Sequence, residues 1–206
     1  MCNNYRPSSR EDLESFYGVT PDRDYPAETW PDYMAPIIRR GERQRECVVA
    51  NFGMMPKKRI PPGVRAWDST NARSETVGEK RTFSGAWKAL QLCLVPAQHF
   101  YEPYYAPGAT KSVRHRIWVK DAPTLAIAGL WRGWPDGEAS FTMLTVNSDE
   151  HPLMRKFHKP GKEKRSVVIL PPDQWDDWLT CSNTDEARSF LNLYPADEMD
   201  SEPAPK

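Results

Sequence analysis

The sequence lacks several features that define broad classes of protein. No stretch approaches the roughly 18 consecutive apolar residues of a membrane-spanning helix, and the N-terminal residues lack the apolar run of a signal peptide. The formal net charge is zero, which by itself argues against a generic polyanion binder. These absences predict a cytoplasmic protein that does not contact a membrane.

Cysteine is scarce and dispersed. The four cysteines stand far apart, at positions 2, 47, 93 and 181, without CxxC or zinc-ligand spacing. This spacing favours a reduced protein over a disulfide scaffold or a zinc protein. We therefore expect no metal and no other cofactor.

The order of apolar segments predicts the fold class. A length of 206 residues predicts one domain. Runs rich in β-branched, aromatic and apolar residues predict strands at 47–54, 91–97, 100–105, 124–131, 140–146 and 166–170. Short helices are expected at 8–18 and near the end of the chain. Strands mixed with peripheral short helices predict an α+β fold with a largely antiparallel, barrel-like sheet.

The end of the chain differs in composition from the rest. Residues 196–206 are acidic and poor in apolar side chains. Segments of this kind bury too little apolar surface to offset the entropy of ordering. We therefore predict a single domain over residues 1–195 followed by a disordered tail.

Cys2 is the first residue with unusual chemistry. If Met1 is removed, Cys2 carries a free α-amine and a thiol. An α-amine has a pKa near 7.7–8.0, so roughly a fifth of it is neutral at about pH 7.2. A neutral amine attacks an aldehyde to give an imine, which the neighbouring thiol can close into a thiazolidine. The alternative is that Cys2 is an inert residue at a frayed terminus.

Two internal residues are candidates for a site. Asn71 begins the sequence NARSET, where it either caps a short helix or presents its amide to a ligand. Glu102 lies among aromatic residues, so burial should raise its pKa and suit it to acid–base chemistry. The alternative for Glu102 is a carboxylate at a strand end that faces water.

Basic residues gather most densely in the sequence RKFHKPGKEKR, residues 155–165. A neutral total charge can conceal a basic groove of this kind. His158 lies within the run, where a histidine is suited to proton transfer beside a phosphate backbone. The alternative is that His158 is one more polar residue in a solvated loop.

Four sequence features occur in a recognisable order. They are the initial Met-Cys, NARSET at 71–76, Phe-Tyr-Glu at 100–102, and a histidine–proline loop that leads into Val-Val-Ile-Leu at 167–170. Together they resemble the SOS response-associated peptidase (SRAP) family over nearly the whole chain. The combination of Cys2 with NAR-x-ET is the specific part of the resemblance.

The resemblance implies a sensor of abasic sites in single-stranded DNA, acting as a monomer. Cys2 would form a covalent thiazolidine with the ring-opened deoxyribose, and Asn71 would position the terminal amine or the sugar. Glu102 would assist ring opening and proton transfer, with His158 as a further acid or base. Lyase activity and self-processing peptidase activity are also implied.

The resemblance further implies a positively charged groove for the DNA strand. Arg73 and Arg81 match arginines that hold phosphates, and Trp67 matches an aromatic residue that stacks or wedges against bases. Such a combination suits single-strand binding without base-edge readout.

The sequence departs from the family pattern at three places. Asn3 and Asn4 replace the usual Gly-Arg, so an arginine expected to contact phosphate is absent. Pro103 replaces a tryptophan after the acidic residue, and the loop after His158 carries an insertion. All four catalytic residue types nevertheless remain.

Two other functions fit parts of the sequence. One is a thiol peptidase in which Cys2 is the nucleophile, its own amine is the base and Asn71 forms part of an oxyanion hole. The other is a non-catalytic single-stranded DNA-binding module, in which Cys2 would be dispensable.

Overall fold

The computed structural model describes residues 2–206. Its strands are β1 (Tyr5–Pro7), β2 (Met34–Arg40), β3 (Arg45–Phe52), β4 (Asn71–Arg73), β5 (Leu92–Tyr104), β6 (Val113–Val119), β7 (Leu125–Gly133), β8 (Ala139–Asn147), β9 (Arg165–Val167), β10 (Ile169–Leu170) and β11 (Met199–Pro203). The α-helices are α1 (Arg10–Asp12), α2 (Ser84–Lys88), α3 (Trp175–Thr180) and α4 (Thr184–Ser189). A π-helical turn (Leu13–Tyr17) continues α1, and 3₁₀ turns occur at Lys57–Arg59, Met154–Lys156, Pro172–Gln174 and Ala196–Glu198.

The strands form one sheet that closes partly into a ring. Neighbouring strands run in the order β10-β7-β8-β3-β2-β5-β6-β11, and an additional pairing of β7 with β5 closes a circuit through β8, β3 and β2. Most pairs are antiparallel, whereas β8 runs parallel to β3 and to β4. The predicted α+β fold with a largely antiparallel, barrel-like sheet is therefore confirmed.

Both faces of the central strands are buried. Neighbouring residues alternate between two apolar clusters, as Ile37 and Ile38 do on β2. One cluster contains Cys2 and the stacked rings of Phe52 and Phe141, and the other packs against α2, α3 and α4. Strands buried on both faces read as continuous apolar runs, which explains the composition of β7 and β8.

The N-terminal helix forms as the sequence predicts. The Ser9 side chain accepts a hydrogen bond from the Asp12 amide, and the Asp12 side chain accepts one from the Ser9 amide, which completes a capping box. The helix ends at Gly18, whose φ of 67° is left-handed and free of a Cβ penalty. Before this helix, β1 pairs antiparallel with β5, which fixes the position of the N-terminal residues.

The prediction of a disordered tail is wrong for Met199–Pro203. These residues form β11, which pairs antiparallel with β6 from Met199↔Val119 to Pro203↔His115. Met199 is buried in the core, and Glu202 pairs with Arg116 across the strands. Backbone hydrogen bonds to an open sheet edge thus order a segment whose own apolar content is low.

The sequence also divides the central strand wrongly. The segments 91–97 and 100–105 read as two strands, but β5 is one strand of 13 residues. Its pairing with β1 shifts register between Arg6 and Pro7, so that Pro7 lies opposite Ala97. The shift leaves Gln98 as the extra residue of a bulge, which β5 accommodates without ending.

No helix in residues 2–206 is long and apolar enough to cross a membrane.

Gly129 lies on β7 opposite Cys93 on β5, where the two strands close the ring. We expect this position to be sensitive to a larger side chain. A Cβ there would meet the Thr142 carbonyl oxygen at 2.8 Å and the Cys93 Sγ at 3.0 Å. We expect Gly129→Ala to lower the free energy of unfolding by about 1–3 kcal/mol through overpacking, as measured by urea denaturation.

Gly85→Ala in α2 is the matched control. A Cβ at Gly85 meets no atom of the described residues within 4 Å, so the same substitution should be neutral or stabilising by up to about 1 kcal/mol. Equal stability of the two variants would contradict tight packing at the ring closure.

Candidate active site

Cys2 lies in the core beside the first strand. The Tyr101 amide donates to the Asn4 carbonyl oxygen at 3.0 Å, which extends the β1–β5 pairing toward the N-terminus. Cys2 is 1% exposed. The interpretation of Cys2 as part of a frayed terminus is therefore wrong. Met1 lies outside the described residues, and its removal stays a prediction.

The Cys2 thiol is held in its protonated form. Its Sγ donates to the Asn4 carbonyl oxygen at 3.5 Å. Burial raises the pKa of this thiol well above its ordinary value, and the charge of Glu102 raises it further. At neutral pH the sulfur is consequently a thiol and not a thiolate.

Asn71 contacts the backbone of Cys2 directly. It begins β4, which pairs with β8, so the prediction that it caps a helix is wrong. Its Nδ2 donates to the Cys2 carbonyl oxygen at 2.8 Å and also lies 2.9 Å from Thr70 Oγ1 and 3.3 Å from Asn3 Oδ1. Its Oδ1 is buried and has no hydrogen-bond partner among the described residues. The amide is therefore oriented with an acceptor available.

Glu102 is buried on β5 and is only 3% exposed. Burial raises its pKa to about 7. The expectation that burial would raise this pKa is confirmed, and the alternative of a carboxylate facing water is wrong. Near neutral pH the side chain is present in both its protonated and its ionised form, which suits it to either direction of proton transfer.

His158 is held next to Glu102. Its backbone has a left-handed φ of 64°, and its amide donates to the Pro103 carbonyl oxygen at 2.8 Å. Its Nδ1 lies 3.3 Å from Glu102 Oε2, and its Nε2 lies 3.0 Å from the Arg165 carbonyl oxygen. The interpretation of His158 as a residue of a solvated loop is wrong, because its side chain is buried.

The hydrogen bonds of His158 assign its tautomer. A carbonyl oxygen only accepts, so Nε2 carries the proton. Burial lowers the pKa of His158 to about 4, so the ring is neutral at pH 7 and Nδ1 carries a lone pair. A protonated Glu102 can donate to that lone pair. At 3.3 Å the two side chains are close enough for this proton to pass between them.

Part of the basic run faces inward. Lys164 Nζ donates to the carbonyl oxygens of Phe157 and His158, at 2.8 and 3.0 Å. Arg165 is buried and donates to the Thr145 carbonyl oxygen and to Glu75, both at 2.8 Å. These two cations fix the loop that carries His158, so they are unavailable to a groove.

The residues predicted to bind DNA lie nearer the surface. Trp67 is 43% exposed and lines a cleft of about 300 Å³ that also includes Thr70, the neighbour of Asn71. Arg73 is half-exposed and forms an ion pair with Glu163 at 2.7 Å, and Arg81 is exposed. The cleft adjoins the buried site, whereas the DNA-binding roles of these residues stay predictions.

Sequence reasoning missed the support for Asn71. Thr70 Oγ1 lies 2.6 Å from Asp68 Oδ1 and 3.0 Å from Asn3 Oδ1. The Thr70 amide also donates to Asp68 Oδ1 at 2.9 Å, which is an Asx turn. The sequence Asp-Ser-Thr-Asn signals this turn, but the contact with Asn3 depends on the fold.

Asn4 does not act as the missing arginine. It is buried, and its Nδ2 donates to Glu28 Oε1 at 2.9 Å and to the Thr29 carbonyl oxygen at 3.1 Å. Its side chain thus anchors the segment behind Cys2 and does not point into the cleft.

The fold and the site together define a barrel-like α+β protein in which the second residue, a buried cysteine, lies beside a glutamate and a histidine that contact each other. The family model for SOS response associated peptidase (SRAP) matches residues 1–206. The chain therefore belongs to the SRAP family. Membership supports a function associated with DNA damage.

Solved structures agree with this assignment. A protein from Bordetella bronchiseptica is 39% identical, with a TM-score of 0.87 over 98% of this chain and 99% of that one. A protein from Bacteroides thetaiotaomicron is 23% identical, with a TM-score of 0.75 over 97% of this chain and 90% of that one. A phage-related protein from Bordetella bronchiseptica is 20% identical, with a TM-score of 0.72 over 100% of this chain and 95% of that one. The latter two show the fold alone. No curated protein matches the chain.

The raised pKa of Glu102 predicts a pH-dependent cost to stability. Between the ordinary value of 4.5 and about 7 the folded state binds more protons at this site than the unfolded state, so stability falls as pH rises through this window. Glu102→Gln resembles the protonated acid and removes the effect. Relative to this variant, wild type should lose up to about 3 kcal/mol between pH 4 and pH 8.

Urea denaturation across this pH range measures the difference, and the same comparison in a His158→Gln background removes the titration of the neighbouring His158. The exposed Glu79→Gln is the control and should follow wild type at every pH. A wild-type minus Glu102→Gln difference that does not vary with pH would contradict a buried, titrating carboxyl.

Proposed function

We propose that the protein captures abasic sites in single-stranded DNA by forming a thiazolidine between mature Cys2 and the ring-opened deoxyribose aldehyde. The observation that carries this proposal is the convergence of four side chains. The Cys2 backbone is bound by Asn71, and the Glu102 charge acts on the Cys2 thiol while Glu102 contacts His158.

The first step is attack by the α-amine. An abasic site exists partly as a free aldehyde, and a neutral amine adds to its carbonyl carbon. The Asn71 Oδ1 is a buried acceptor beside the Cys2 backbone, and an amine hydrogen is its natural donor. Such a bond orients the nitrogen lone pair toward the sugar.

The next two steps balance without any redox partner. The amine adduct loses water to give an imine between the Cys2 nitrogen and sugar C1′. The Cys2 sulfur then bonds to the same carbon, and the thiol proton passes to the nitrogen, which closes a five-membered ring. The raised pKa of the thiol does not prevent ring closure, because the imine nitrogen is basic and takes the thiol proton as the sulfur bonds to the carbon.

The Glu102–His158 pair supplies the proton transfers. Opening the sugar ring moves a proton from the anomeric hydroxyl to the ring oxygen, and loss of water from the amine adduct needs an acid. Glu102, with its pKa near 7, can serve as base in one step and as acid in the other. His158 accepts and returns the proton through Nδ1.

The DNA strand is proposed to lie in the cleft beside the site. Trp67 offers a face for base stacking, and Arg73 and Arg81 offer guanidinium groups to phosphates.

A thiol peptidase, by contrast, needs a thiolate, which burial of the Cys2 thiol disfavours.

The direct test is denaturing electrophoresis after mixing the protein with an abasic single-stranded oligonucleotide. We expect a heat-resistant, shifted band with the abasic strand and none with the intact strand of the same sequence. Mass spectrometry confirms that the N-terminus is Cys2. Absence of the band from protein with that N-terminus would overturn the proposal.

Cys2→Ser separates the amine from the thiol. With Met1 removed, the serine variant keeps the amine and should still form an imine that borohydride traps. A hydroxyl closes an imine far less well than a thiol, so little stable adduct should form without reductant. Cys47→Ser, a buried cysteine outside the site, is the control and should behave as wild type.

Two outcomes distinguish the other functions. A peptidase that does not act on DNA gives no trapped species with either protein. A passive DNA-binding module gives the same result for wild type and the Cys2→Ser variant. If wild type and the Cys2→Ser variant gave equal amounts of heat-stable adduct without reductant, the thiazolidine would be ruled out.

Glu102→Gln should slow capture more than it weakens binding. The amide keeps the size of the side chain but cannot transfer a proton, so we expect an adduct rate at saturating protein about 10²–10⁴-fold below wild type. Affinity for intact single strand, measured by fluorescence anisotropy, should change less than twofold. A wild-type rate would remove Glu102 from the chemistry.

A further inference from the structure

Arg73 lies at the edge of the candidate site but already has an anionic partner. It follows Asn71 by two residues on β4, with its side chain 50% exposed. Its Nη1 lies 2.7 Å from Glu163 Oε2. A guanidinium in this position is suited to bind a phosphate, but a carboxylate of the same chain occupies it.

The buried Arg165 side chain fixes the position of Glu163. Its other oxygen, Oε1, accepts from Arg165 Nη1 at 2.6 Å, and the Arg165 side chain is buried. Burial acts to raise the pKa of Glu163, but the hydrogen bond from Arg165 and the charges of Arg165 and Arg73 hold it below its ordinary value. The carboxylate is therefore an anion that bridges a buried arginine and a half-exposed one.

Arg165 does not depend on Glu163 alone. Both oxygens of Glu75 also lie close to its guanidinium, at 3.2 and 2.8 Å, and the Thr145 carbonyl oxygen accepts from its Nη2. Loss of the Arg73–Glu163 contact therefore leaves the buried charge of Arg165 compensated. Only the half-exposed side of the bridge is free to exchange partners.

We propose that the Glu163 carboxylate occupies the position on Arg73 that a DNA phosphate would take. When a strand binds, one of its phosphodiester groups displaces this carboxylate from Arg73. The inference rests on the proposed single-stranded DNA-binding function. Glu163 belongs to the loop between His158 and β9, the segment in which this sequence departs from the family pattern. The exchange lowers the affinity for intact DNA, so that retention on a strand depends on the covalent step.

The test compares matched variants for binding to an unmodified single-stranded oligonucleotide by fluorescence anisotropy. Glu163→Gln should bind about two- to fivefold more tightly than wild type at low salt, the range expected for a partly exposed ion pair. The gain should shrink as salt screens the charges. Glu75→Gln is the control, because it removes the same charge. Glu75 contacts Arg165, as Glu163 does, but it does not contact Arg73.

Two further variants separate the local contact from net charge and from folding defects. Glu163→Asp keeps the charge but shortens the side chain, so a carboxylate held by Arg165 withdraws from Arg73, and binding should tighten. In an Arg73→Gln background, Glu163→Gln should give no more gain than Glu75→Gln. Thermal unfolding shows that each variant is folded.

The inference fails if Glu163→Gln and Glu75→Gln bind DNA equally, or if the gain persists without Arg73. Failure of the proposed function looks different: wild type then forms no adduct with abasic DNA, or no variant binds the oligonucleotide. Wild type that captures abasic DNA while the Glu163 variants bind like Glu75→Gln rejects this inference alone.

Discussion

The pairing of β1 with β5 is the interaction on which the site depends. It is short, with Tyr5 opposite Phe100 and Arg6 opposite His99, yet it brings the N-terminus against the strand that carries Glu102. The same strand β5 closes the ring through β7 and pairs with β2 and β6. A terminus that would otherwise fray is therefore held by the most extensively paired strand of the sheet.

Burial is the second constraint, and it shifts the pKa of each of the three groups toward the neutral form. It raises the pKa of the Cys2 thiol, raises that of Glu102 and lowers that of His158. All three groups are thereby favoured in their neutral forms. Near pH 7 the thiol and the imidazole are neutral and only Glu102 is partly ionised, so the site limits the cost of burying unpaired ions and still holds a mobile proton.

Features that depend on residues close together in the sequence were predictable from it. The capping box at Ser9 and the apolar strands β7 and β8 follow from sequence spacing, and the aromatic neighbours of Glu102 predicted its burial. Features that depend on distant partners were not predictable. β11 is ordered by the edge of β6, Asn71 is drawn into a strand by β8, and β5 continues through Pro96 because its neighbours hold it in register. The inward direction of Arg165 likewise needs the positions of Glu75 and Thr145.

The burial of Cys2 also bears on how long the protein stays competent. In the proposed reaction each molecule is consumed by one lesion, so the sulfur must remain chemically intact until that event. Peroxides and alkylating agents react with thiolates that solvent can reach, and a protonated sulfur that is 1% exposed offers neither property. The same packing that positions the thiol therefore protects it from oxidation and alkylation.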